Sequence, residues 1–359
     1  MSKFILHAGM NKTGSSSIQQ WLAINAESLS GKSNLKVLRA CAVNDDESKQ
    51  LICKLDPVDL GKNSSNDSNQ FVQIYNKVDK NDRLTIANGL AEKVYEYLDS
   101  GADVIISAES FYNLLAHLNA DFVNALIKIS SGHEVLVTYY VRPQHSALEA
   151  AWCQWGFRSN HAPSKFLYNY QKSLDYHLVY KNLKRAMPEI HFHVRPYRVD
   201  MLDSGNVIDD FVKNILRIEN EEGLEGDVWI NKGIPLEVAN ILAAIPNEKL
   251  WSSPHDNKNL NKIKSIINSH KYTMTEDIEL SRKIMKNYCY NKFEESNKKL
   301  IEELGWGIDH FIDYTNSCDA IKSQDLSELD NLWKCKANTS ELEFIYQLVK
   351  YICKNEHVQ

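Results

Sequence analysis

No stretch of this chain approaches the eighteen consecutive apolar residues that a membrane-spanning helix needs. Its first residues enter a strand-like segment, Phe4 to Ala8, with no basic region and long apolar core ahead of it. These absences predict a cytoplasmic protein with no transmembrane segment. The cysteine pattern is equally uninformative of a scaffold. Seven cysteines, at positions 41, 53, 153, 289, 318, 335 and 353, are scattered, odd in number and free of CxxC spacing, which disfavours a disulfide framework and a zinc site. Excess positive charge is also lacking: a net charge of -6 argues against a general nucleic-acid binder, whose affinity comes from many Lys and Arg on phosphates. No internal repeat or low-complexity tract is present.

What remains is a chain of 359 residues, 43% hydrophobic, able to bury a substantial core. We read one main domain, residues 1–305, and a helical extension, residues 306–359. Short β-rich runs (Phe4 to Ala8, Val104 to Ser107, Val135 to Val141, His191 to Pro196) alternate with helical stretches. That alternation predicts an α/β domain with a central, mostly parallel sheet. Expected helices are Ser15 to Ile24, Phe111 to Ile129, Ser146 to Trp155, Leu174 to Ala186, Val207 to Ile218 and the amphipathic Ile278 to Leu304. Lys62 to Asn69 is too polar to bury and reads as a surface loop. After about Leu236 the strand signals stop, so a helical C-terminal layer is expected.

The chemistry concentrates where the first strand meets the first helix, in Gly9-Met10-Asn11-Lys12-Thr13-Gly14-Ser15-Ser16-Ser17. Two glycines permit tight turns, and a helix N-terminus offers N–H groups and a positive dipole end to an anion, with Lys12 and the hydroxyls at hand. This is the composition of a phosphate cradle. It is not a Walker A loop, because Lys12 precedes Gly14 instead of following it.

The stretch Gly9 to Gln19, GMNKTGSSSIQ, resembles the phosphosulfate loop of PAPS-dependent sulfotransferases of the bacterial carbohydrate type, roughly GMPKTGTTSIQ, with Asn11 in place of Pro. The resemblance implies a three-layer sandwich of the P-loop NTPase-like sulfotransferase fold and sulfuryl transfer from PAPS, leaving PAP, with no metal required. It also implies that Asn11, Lys12, Thr13, Gly14, Ser15, Ser16 and Ser17 line the donor's 5'-phosphate. The family then places an Arg at a strand end and a Ser eight residues on, both on the 3'-phosphate. Arg142 matches the first, whereas Ala150 occupies the second, leaving Ser146, one helical turn nearer, as a stand-in. Val194-Arg195-Pro196-Tyr197, Val207 to Val212, Asn231 to Pro235 and Phe293 to Asn297 resemble later landmarks in the family's order, so the likeness runs to about Gly305.

Sulfuryl transfer needs a cation on the leaving oxygen and a base for the acceptor hydroxyl. Lys12 supplies the first. For the base, Glu109, His7 and His145 all lie at strand ends near the cradle. Each also has an ordinary structural role: Glu109 as a charge at a helix start, His7 as a packed residue, His145 as a solvated first-turn residue. The acceptor expected from the resemblance is a carbohydrate hydroxyl. Trp152, Trp155, Phe157 and Tyr168 with Arg158 and Lys165 could form its platform, although aromatics at such spacing also build cores. A nucleotide kinase and a catalytically degenerate nucleotide-binding scaffold stand as alternatives.

Overall fold

The computed structural model describes residues 2–44, 51–58, 67–159, 161–219, 222–226, 234–243, 276–307 and 326–333. They fall into two compact units, the first comprising Met1–Arg142, Tyr176–Ile230 and Lys299–Phe311, the second Pro143–Asp175, Asn231–Lys298 and Ile312–Gln359.

In the first unit, strand β1 (Lys3–Ala8) is followed by helix α1 (Ser15–Ser33) and the hairpin strands β2 (Leu35–Asn44) and β3 (Leu51–Pro57). Helices α2 (Asp67–Lys77) and α3 (Lys80–Asp99) lead to β4 (Asp103–Ala108), then α4 (Phe111–Ala116), α5 (Ala120–Ser130) and β5 (Glu134–Val141). The strand order is β3-β2-β4-β1-β5-β6, parallel except for β3, where β6 is His191–Pro196. The α/β class and mostly parallel sheet expected from the sequence are therefore present.

One sheet face carries Ile5, Ile105, Leu136 and Tyr140, which pack with Ile18, Trp21 and Leu22 of α1 and with Phe211 and Val212. The last two belong to α9 (Val207–Phe211) and the π-helical turn, Val212–Leu216, that continues it. Strand β1 is buried on both faces, as the central strand of a covered parallel sheet must be. That is why its sequence, FILHA, shows an apolar run instead of alternation.

The second unit contains α6 (Gln144–Trp152), α7 (Pro163–Tyr170), α10 (Leu236–Ala243) and most of α11 (Glu276–Leu304); α8 (Tyr176–Ala186) returns to the first. Its core is organised around Trp152, whose indole donates to Asn240 at 2.9 Å and whose ring lies 5.1 Å from that of Trp333. Gln144 and Asn297 exchange two buried amide hydrogen bonds of 2.7 and 3.1 Å, and Arg282 holds Glu149 bidentately.

Three differences from the sequence reading stand out. Strands β2 and β3 were not anticipated, and neither were α2 and α3. The apolar stretch Phe111 to Ile129 is two helices, because Leu118 turns left-handed (φ 46°) and Asn119 caps a new start by accepting from the Phe122 N–H. Helix α1 runs on to Ser33, where Asn34 ends it in the left-handed conformation. Residues 62–66 of the polar loop, Asn231 to Gly233, and most of the expected extension 306–359 lie outside the described residues.

Candidate functional site

Three adjacent parallel strands deliver the motifs to one end of the sheet. Strand β1 pairs with β4 through Ala8↔Ala108 and with β5 through His7↔Thr138, so Gly9 and Glu109 emerge side by side and Arg142 follows two residues further along the β5 chain. The Gly9 N–H donates to the Ala108 carbonyl at 3.0 Å, carrying the ladder one step past the strand. A Cβ on Gly9 would collide with the Ser15 hydroxyl and lie 3.1 Å from the Glu109 Cα. Glycine is what lets the loop, the helix start and Glu109 meet.

Within the loop, the Thr13 and Ser15 hydroxyls both donate to the Met10 carbonyl, at 2.8 and 3.2 Å, and both residues are buried. Their side chains therefore shape the loop, and what they offer an anion is their backbone N–H. Lys12, Ser16 and Ser17 are partly exposed. Lys12 (φ 66°) and Gly14 (φ 76°) are both left-handed, the kind of backbone that curls N–H groups into an anion-binding concavity. Gly14 is also the N-cap of α1 and has no side chain to satisfy the first turn, while the Ser17 and Ile18 N–H groups bond back to its carbonyl. The N–H groups of Ser15 and Ser16 thus stand at a positive helix end with no intrahelical acceptor.

Arg142 reaches across from the end of β5, its Nη1 donating to the Lys12 carbonyl at 2.8 Å. Its guanidinium lies 5.7 Å from the Tyr197 ring centroid, and the Arg142 carbonyl accepts from the Tyr176 hydroxyl at 2.9 Å. Tyr197 extends the β5–β6 ladder through its N–H to the Val141 carbonyl at 2.6 Å, and its ring approaches the space where a Gly14 Cβ would sit.

The base candidates are placed very differently. Burial pushes the Glu109 carboxyl above its ordinary range, while the nearby Lys12 charge draws it partly back. The His7 imidazole is fully buried, hydrogen-bonded through Nδ1 to the Ser107 hydroxyl at 2.7 Å and set edge-on against Phe211. Burial holds it at a pKa of about 3, so it is neutral and enclosed, out of reach of an acceptor arriving from solvent. His145 and Ser146 lie on α6 in the second unit, both partly exposed. The structure thus brings Lys12, Glu109 and Arg142 together within the first unit.

Of the aromatic residues considered for an acceptor platform, Trp152 and Phe157 are core, as is Arg158, whose guanidinium donates to the Gln154 carbonyl. Tyr168 is 60% exposed, and Lys165 is exposed beside it on α7. Among the described residues no cluster of three or more His, Cys, Asp or Glu could hold a metal, and no helix is long and apolar enough to cross a membrane.

Sequence reasoning assigned no role to Tyr197 or to Tyr140, Arg195 and Asp210, which form a buried polar cluster behind the loop. The signal was there in part: Tyr140 and Arg195 are register partners, and polar residues inside apolar strands call for a mate. Compared with known proteins, the chain matches no family model, no curated protein and no solved structure.

Proposed function

We propose that this chain is a sulfotransferase that moves the sulfuryl group of PAPS onto a hydroxyl, on the likeness of its loop a carbohydrate hydroxyl. One observation carries the reading: the Lys12 loop, Glu109 and Arg142 end three neighbouring strands and meet around an uncapped helix N-terminus. The order of the sheet supports a P-loop-like fold, since β1, which feeds the cradle, sits centrally between β4 and β5. Ligands in open α/β sheets bind at the carboxyl ends of such strands.

Each residue has a definite task on this reading. The loop N–H groups and the helix end bind the 5'-phosphate, and Lys12 neutralises the oxygen that keeps the electron pair when its bond to sulfur breaks. Glu109 takes the proton of the acceptor oxygen as that oxygen bonds to sulfur. Its raised pKa makes it a stronger base than an ordinary carboxylate. Arg142 is assigned to the 3'-phosphate.

Thermal shift tests the donor. Stabilisation by the 3',5'-bisphosphate alone supports the reading, stabilisation by ATP only with Mg²⁺ points to a kinase, and no response to either points to a scaffold. Transfer from labelled donor into a panel of glycans then identifies the acceptor.

A further inference from the structure

Behind the phosphate loop a fully buried carboxylate gathers donors from four segments of chain. Asp210, on α9, accepts from the Tyr140 hydroxyl on β5 at 2.8 Å and from Arg195 on β6, with Nε at 3.1 Å and Nη2 as a second donor. The Asn214 amide, at 3.2 Å, and the Asp203 N–H, at 3.3 Å, complete its shell. No mechanistic step above uses any of these groups.

Their placement relative to the loop is what matters. Tyr140 and Arg195 are register partners on one sheet face, and the side-chain period of two sends Arg142 and Tyr197 out on that same face one step further on. Asp210 also fixes α9, whose first residue, Val207, packs where a Gly14 Cβ would lie, 2.8 Å from its Cγ1. Tyr197 touches the same space at 3.1 Å. The cluster is therefore joined to the cradle along two routes, through α9 to Gly14 and through the Arg142–Tyr197 pair to the Lys12 carbonyl.

Buried ion pairs are poor sources of net stability, because apolar residues of similar volume often serve as well. Their better-attested effect is to select one arrangement of the segments they join. We infer that Asp210, with Arg195 and Tyr140, is a positioning residue that sets the geometry of the phosphate loop. The inference rests on the proposal that this loop grips the donor.

The test compares Asp210→Asn and the milder Tyr140→Phe with wild type, using Lys213→Ala as a control that removes an exposed ion pair to Asp203. Backbone hydrogen exchange is read without ligand, followed by affinity for the 3',5'-bisphosphate and steady-state kinetics. Exchange should accelerate selectively from Lys12 to Ile18 and at Tyr197, with the β1–β4 ladder unchanged. Bisphosphate affinity should fall by roughly ten- to a hundredfold, with KM for the donor rising more than kcat falls. Unchanged exchange at the loop in both variants, or acceleration spread evenly over the sheet, would overturn the inference. If wild type binds no bisphosphate yet the loop exchange responds as described, the donor assignment fails and the positioning role stands.

Discussion

Arg142 donates to the main-chain carbonyl of Lys12 at 2.8 Å, joining the end of β5 to the middle of the loop between β1 and α1. The Lys12–Thr13 peptide is trans, so a carbonyl held on the Arg142 side turns the Thr13 N–H to the opposite side. Arg142 thereby orients a loop donor whether or not it also contacts a phosphate. Arg142→Lys should keep the positive charge and lose the planar guanidinium fork, weakening bisphosphate binding by about tenfold. Isothermal titration of the two proteins is the direct check, and equal affinities would leave Arg142 as a charge alone.

Lys12, to which the proposed function gives a catalytic task, has a strained backbone. A non-glycine residue at φ 66° costs roughly 1–2 kcal/mol, and glycine removes that cost while adding roughly 0.5–1 kcal/mol of chain entropy to folding. Lys12→Gly should therefore melt at or slightly above the wild-type temperature. Turnover should fall by about 10²–10³, the typical effect of deleting a group that stabilises developing charge. A variant with normal stability and near-normal turnover would remove Lys12 from the mechanism.

Gly14 is constrained twice, by φ 76° and by Val207 in the space of its missing Cβ. Gly14→Ala should destabilise the protein by about 1–3 kcal/mol and weaken anion binding, since the helix start must shift. Adding Val207→Ala relieves the contact and leaves the dihedral strain, so partial recovery in denaturant melts is the expected outcome. Full recovery would mean that the left-handed backbone matters little here.

The loop between β1 and α1 was legible because its evidence is local: glycines, Lys12 and hydroxyls fall within nine residues after an apolar run. Glu109 and Arg142 were legible as strand ends. Their meeting with the loop required the strand order, which no single motif encodes. Strands β2 and β3 escaped because Arg39, Lys54 and Asp56 interrupt their apolar pattern, and their pairing is settled by a hairpin contact. The burial of His7 was hidden as well. It follows from α9 covering that face, with Phe211 more than two hundred residues away in sequence.

Asn119 carries a similar lesson for the fold. Its side chain caps α5 through the Phe122 N–H at 3.2 Å and accepts from the buried Tyr75 hydroxyl at 2.8 Å. Asn119→Ala should cost about 1–3 kcal/mol, combining a lost cap with an unsatisfied buried hydroxyl. Tyr75→Phe in the same background should recover part of that loss, which a double-mutant cycle of denaturant melts measures. Additive losses would show that the two residues do not act together.

On the proposed function, Glu109 links turnover to pH with a definite sign. Its carboxyl is raised in the folded protein by burial, so the native state holds this proton to higher pH than the unfolded chain does. Stability from this site is then fully present below the ordinary carboxyl pKa and is lost as pH rises through the raised one. Glu109→Gln removes a partly desolvated charge, so it should stabilise the protein at neutral pH, with the advantage vanishing in acid. Activity runs the other way, because a base must be deprotonated to accept the acceptor's proton. Wild-type turnover should rise through the raised pKa, and Glu109→Gln should lose both that limb and most of its turnover while still binding the 3',5'-bisphosphate. A variant that gains stability at neutral pH yet keeps turnover would establish Glu109 as a half-buried carboxylate with no part in proton transfer.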